Sequence, residues 1–147
     1  LDLILWRHAE AEEGLDDEKR KLTSKGRRQA AAMAQWLKYR LPKHFSVIAS
    51  PAVRTQETAL ALVSRFLTSD EVGLGASPDS ILRAAGWPRA SQPVVIVGHQ
   101  PTLGMTVAHL ISGKDSQWGV RKGSIIWITR KGSENTLRAV IPPDLIG

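Results

Sequence analysis

The chain has 147 residues, 42% of them hydrophobic and 23% charged, with no cysteine and a formal net charge of +6. This is about one domain of ordinary globular composition, which excludes disordered, fibrous and collagen-like classes. No apolar run approaches the roughly 20 residues of a membrane-spanning helix, and without cysteine there is no disulfide framework, thiol nucleophile or Cys-based zinc site.

Leu3-Ile4-Leu5-Trp6 is too short for a signal-peptide core and reads as a buried strand that ends abruptly at Arg7-His8. The chain begins at Leu1 without Met, so its natural N-terminus is expected to be slightly longer. Charge then segregates: Glu10 to Glu18 holds six acids and no base, whereas Lys19 to Arg54 holds ten bases and no acid. Such a basic stretch can attract nucleic acid, an acidic protein face or phosphorylated ligands, or can simply be a solvated helix face.

Thr23 is placed to cap a helix whose apolar residues Ala30, Met33, Leu37 and Leu41 recur at three and four, with Pro42 stopping it. Ser46 to Ala49 reads as a second short strand. Ser50 as N-cap and Pro51 at the first helical position then start a helix with Leu60, Val63 and Leu67 on one face. Thr68 to Ser80, with Gly73, Gly75 and Pro78, is a loop or a short strand plus turn, leading into a small helix from about Asp79 to Ala85. Val94-Val95-Ile96-Val97 has the continuous apolar character of a central strand covered on both faces. Gly98-His99-Gln100-Pro101 turns out of it into a helix from about Thr102 to Ile111. Ser124 to Thr129 and Thr136 to Ile141, joined through Lys131-Gly132-Ser133-Glu134, read as a closing antiparallel hairpin. The alternation predicts a three-layer αβα sandwich with a mostly parallel central sheet, residues 1–147 forming a single domain in the cytoplasm.

Ligands of such sheets bind beyond the carboxyl ends of the strands. There the first strand delivers Arg7-His8, the second is followed by Ser50-Pro51 and Arg54, and the fourth ends in Gly98-His99. Singly, His8 could cap or pack, Arg54 could make a surface ion pair and His99 could bond its own loop. Together they would repel one another unless an anion joined them, so the constellation reads as a phosphate site containing a nucleophile. His44 and His109 lack such neighbours and read as structural. No histidine pair has a helical metal-ligand spacing, and neither metal nor cofactor is implied.

Arg7-His8-Ala9, Ser50-Pro51-Ala52-Val53-Arg54-Thr55-Gln56-Glu57-Thr58 and Val97-Gly98-His99-Gln100-Pro101 resemble, in order and context, the motifs of the histidine phosphatase superfamily. Across essentially the whole chain the resemblance implies a phosphoglycerate mutase-like fold. The short length, the Arg7-His8-Ala9-Glu10-Ala11 opening and Arg20-Lys21-Leu22-Thr23-Ser24-Lys25-Gly26 are similar to its small SixA-type phosphohistidine phosphatases. Ala9 stands where many members of the superfamily have glycine. The resemblance implies that His8 attacks phosphorus and carries the phosphoryl group. Arg7 and Arg54 would clamp its oxygens and His99 would donate a further hydrogen bond.

Larger members of the superfamily carry an acid between the middle helix and the late histidine that protonates the leaving oxygen. That interval here offers only Asp70, Glu71 and Asp79, none in a recognisable motif. Asp79 is the candidate general acid, with a competing reading as a first-turn acid that complements a helix dipole. The expected activity is metal-independent hydrolysis of protein phosphohistidine, the expected partner a phosphohistidine-bearing protein or a small phosphorylated substrate. A small-molecule phosphomonoesterase and a non-enzymatic anion-binding module are the alternatives. Nucleic acid is disfavoured, because Trp36, Tyr39 and Phe45 do not line up with Arg27 and Arg28 as stacking platforms would, and no membrane association is expected.

Overall fold

A computed structural model describes residues 1–146. Six strands, β1 (Asp2–Arg7), β2 (Ser46–Ala49), β3 (Leu67–Thr68), β4 (Val94–Gly98), β5 (Ile125–Lys131) and β6 (Glu134–Ile141), form one sheet in the order β3-β2-β4-β1-β5-β6. The pairs β2/β3, β2/β4 and β1/β4 are parallel, whereas β5 runs antiparallel to both β1 and β6. β1 and β4 therefore lie at the centre with neighbours on both sides, which is why their sequences are unbroken apolar runs.

Because side chains alternate across a strand, β1 feeds two cores. Ile4 and Trp6 join Met33 and Leu37 of α1 (Ser24–Arg40) and Ala59 of α2 (Val53–Leu60) on one face. Leu3 and Leu5 join Ile81 of α3 (Pro78–Ala84) with Leu103 and Val107 of α4 (Thr102–Ser112) on the other. The three-layer αβα sandwich is thus present with a mostly parallel sheet. No helix is long and apolar enough to cross a membrane among the described residues.

Helix α1 starts as its sequence dictates: the Thr23 hydroxyl accepts the Gly26 N–H at 2.9 Å, and the helix ends at Arg40, before Pro42. Helix α2 does not. It begins at Val53 with Ala52 as N-cap, although Ser50-Pro51 is a good local start signal. The Ser50 carbonyl accepts the Thr55 hydroxyl at 2.9 Å and its side chain is engaged elsewhere, so tertiary bonds displace the helix start by two residues. The expected apolar face also fails: α2 ends at Leu60, which is exposed, and Leu67 lies exposed in β3. Its buried face is Arg54, Thr55, Thr58 and Ala59, which a hydrophobic periodicity cannot register.

The helix expected from Asp79 runs from Pro78 to Ala84 with Ser77 as N-cap, and the hairpin turn is the pair Gly132-Ser133. The acidic segment Glu10–Glu18 is a loop held at its ends. Ala11 bridges Leu22, Thr23 N–H donates to the Glu10 carbonyl at 3.0 Å, and the Thr23 hydroxyl donates to the Glu10 carboxylate at 2.7 Å. Gly26 packs so closely on the Glu10 carbonyl that a Cβ there would collide with it.

Candidate functional site

At the carboxyl ends of β1, β2 and β4 the structure brings together Arg7, His8, Arg54 and His99. His8, Arg54 and His99 are each 5% exposed or less, and the two imidazole centroids lie 5.4 Å apart. His8 is fixed by its backbone: its N–H donates to the Gly98 carbonyl at 3.1 Å and its carbonyl accepts the Gly123 N–H at 2.9 Å. Gly123 reaches that carbonyl from a turn with φ of +76°, which favours glycine. His8 Nδ1 lies 2.8 Å from the Ala9 carbonyl, which can only accept, so Nδ1 carries the ring proton and Nε2 keeps its lone pair. Nε2 has no hydrogen-bond partner among the described residues.

The cationic groups are held but not saturated. Arg7 donates to the Val120 carbonyl at 2.8 Å, and Arg54 donates to the Asp17 carbonyl at 2.6 Å and the Asp17 carboxylate at 3.0 Å. Yet Arg7 Nε, Arg54 Nε and His99 Nδ1 are buried without a partner among the described residues. Buried donors left open are costly and rare. Three of them beside a histidine with a free lone pair form a cradle for a tetrahedral oxyanion.

Sequence reading missed two residues of this cluster. Ser50 is buried, its Oγ accepts the Ala52 N–H at 3.3 Å, and it shares a hydrogen bond of 2.8 Å with His99 Nε2. With the hydroxyl as donor in that bond, Nδ1 carries the ring proton of His99 and is its open donor. Asp17 arrives from the acidic loop. Its hydrogen bonds to Arg20 first and Arg54 second hold its carboxyl below the usual range, so it is an anion resting on the Arg54 fork. The signal for Asp17 was the abrupt change from acidic to basic sequence; Ser50 had been assigned to a helix cap instead.

The remaining sequence candidates lie elsewhere. Asp79 is exposed in the first turn of α3 and makes no hydrogen bond or ion pair with the four clustered side chains. Glu71 pairs with Arg83 at 3.1 Å on the surface.

Burial, followed by the charges around it, pushes the His8 pKa down to about 3, against the raising effect of its bond to Ala9. Burial and Arg54 take His99 down to about 4. Both rings are neutral at pH 7. Unfolded histidines take up protons near pH 6.5, so between that pH and about 4 the unfolded chain binds more protons than the folded one. Stability therefore falls on acidification through this window and is regained as pH rises. In an NMR titration the ring resonances of His8 and His99 should stay at their neutral positions from pH 8 down to about pH 5, the midpoint of urea unfolding meanwhile declining below about pH 6.5. An inflection of either ring near pH 6.5 would contradict the buried neutral state.

Fold and cradle together give an α/β protein whose open donors gather at the carboxyl edge of its sheet. The family model of the histidine phosphatase superfamily (branch 1) matches residues 3–71, which include Arg7, His8 and Arg54. The SixA structure from Nakamurella multipartitia is 29% identical, with 96% of this chain and 95% of that one covered at a TM-score of 0.80. A protein histidine phosphatase SixA complexed with tungstate is 22% identical, covering 98% of each chain at a TM-score of 0.79. The SixA structure from Agrobacterium tumefaciens is also 22% identical, covering 97% of each chain at 0.79. At 22% identity the likeness is one of fold. No curated protein matches the chain. Residues 3–71 thus match the histidine phosphatase superfamily model, and the whole chain is similar in fold to the SixA structures.

Proposed function

We propose that this chain hydrolyses phosphohistidine carried on a protein, through a phosphoryl group held transiently on His8. The observation that carries the reading is the open Nε2 of His8 beside three buried, unpartnered donors. In the first step Nε2 attacks phosphorus and the bond from phosphorus to the substrate imidazole breaks. In the second, water attacks, the bond to His8 breaks, and inorganic phosphate leaves with the proton from water taken up by solvent or phosphate. The ring proton stays on Nδ1 throughout, donated to the Ala9 carbonyl. Arg7, Arg54 and His99 bind the phosphoryl oxygens as their charge redistributes, and in doing so they gain the partners they lack.

The leaving group selects the substrate class. An alkoxide, with a conjugate-acid pKa far above 7, needs a proton donor; imidazole, whose conjugate acid has a pKa near 6.5, departs neutral from a ring already protonated on its other nitrogen. The carboxyl group at this site is Asp17, and its arginine partners keep it ionised and unable to donate. The cradle is thus suited to a phosphoramidate and poorly suited to an alkyl ester. The kcat/KM for phosphohistidine should exceed that for an alkyl phosphate by about 10²-fold or more, the lower end of what a positioned acid contributes. Asp79→Asn and Glu71→Gln should each leave phosphohistidine hydrolysis within about twofold of the parent, as expected of surface carboxylates outside the chemistry. Comparable turnover of alkyl phosphates, removed selectively by one of these substitutions, would assign the chain instead as a small-molecule phosphomonoesterase with its own general acid.

A further inference from the structure

The basic stretch after Lys19 is not spent wholly on solvent. Beside Arg7 lies an open groove of about 790 Å³ between α1 and the turn preceding β5. Its cations are Lys25 and Arg28 from α1 and Arg121 and Lys122 from the turn, with Asp144 as its acid. Asp144 reaches only Arg121, at 3.9 Å between exposed groups; Lys25, Arg28 and Lys122 pair with no carboxylate among the described residues. The groove is continuous with the phosphate cradle, because Arg7 lines both and the Lys122-Gly123 segment is bonded to the His8 carbonyl. On the other side of the cradle stands the acidic loop, through Asp17 on Arg54. The surface beside Arg7 on the α1 side is therefore basic.

We infer that this groove seats an acidic segment of the substrate protein, one that carries its phosphohistidine amid glutamates or aspartates. The inference rests on the phosphohistidine phosphatase reading. A compact small-molecule pocket would need convergent, buried donors. These four cations are exposed, long and spread over two elements, as in surfaces that steer and orient a macromolecular partner. Lys25, Arg28 and the groove residue Ala32 share one face of α1 over about 10 Å, the length of two helical turns. An acidic segment laid there places its modified histidine over Arg7 and His8.

The test uses short synthetic peptides, each phosphorylated chemically on one histidine, with either glutamates or glutamines flanking it on each side, and free phosphohistidine as the internal reference. The parent protein should hydrolyse the glutamate peptide with kcat/KM about tenfold or more above the glutamine peptide at low salt, the advantage shrinking as ionic strength rises. A Lys25→Glu, Arg28→Glu double variant should lose or invert that preference while hydrolysing free phosphohistidine at the parent rate, which also reports that it folds. Equal turnover of the two peptides by the parent, with free phosphohistidine hydrolysed, would overturn the docking inference alone. So would a loss in the double variant that is the same for peptide and free phosphohistidine. If a terminally phosphorylated oligonucleotide is the substrate whose turnover depends on Lys25 and Arg28, the groove belongs to nucleic acid and the inference falls. Hydrolysis of alkyl phosphate with no hydrolysis of phosphohistidine, free or in peptides, would instead remove the proposed function and this inference with it.

Discussion

His8→Ala should abolish turnover and leave the protein folded. The side chain is buried, but it belongs to neither apolar core and its one hydrogen bond is to the adjacent Ala9 carbonyl, while the backbone bonds that fix this position survive truncation. The loss should exceed about 10⁴-fold in kcat, since removing the attacking atom leaves only the contribution of the phosphate-binding groups. Acid-labile phosphate trapped by rapid quenching should appear on the parent protein and be absent from the variant. Near-normal turnover by a folded His8→Ala protein would exclude His8 as the nucleophile.

The second large effect is at Arg54. Its guanidinium spends two nitrogens on Asp17 and holds Nε open and buried, so Arg54→Ala deletes an oxyanion donor and frees an acidic side chain beside the site. The expected cost is about 3–4 kcal/mol of transition-state stabilisation, or about 10²- to 10³-fold in kcat, as for a lost oxyanion-hole donor. Arg54→Lys should recover little of it. An ammonium supplies the charge, but it cannot span the Asp17 carbonyl, the Asp17 carboxylate and a phosphoryl oxygen in one plane. Steady-state kinetics with circular dichroism as the folding control would decide; a loss under about threefold in Arg54→Ala would remove it from the phosphate clamp.

How far the sequence foretells these residues depends on whether their signals are local. β1, β2 and β4 are apolar runs bounded by polar residues, α1 has both a regular period and a cap, and residues at strand ends inherit the site from topology alone. The meeting of Arg7, His8, Arg54 and His99 at one rim was legible for that reason. Ser50 and Asp17 were not, because each acts through a bond to a residue far along the chain, His99 in one case and Arg54 in the other. Within their own segments Ser50 shows only a capping signal and Asp17 only the change from acidic to basic sequence. The start of α2 failed by the same competition: a local capping signal lost to the bonds of Ser50 with Val97 and His99, available only once β4 stood beside β2. The basic residues of α1 read correctly as an exposed helix face, while the groove they share with Arg121 and Lys122 exists only after β5 returns to β1.

The two backbone bonds of His8 join the nucleophile to the last residue of β4 and to the turn that leads into β5. Its amide closes the carboxyl edge of the two central strands, so its hydrogen exchange should follow the opening of those strands. The nucleophile therefore has no softer subdomain to fail before the rest. Heat should not yield a folded but inactive population: catalysis and the sheet disappear in one cooperative transition, and the working temperature range of the protein is set by its global stability.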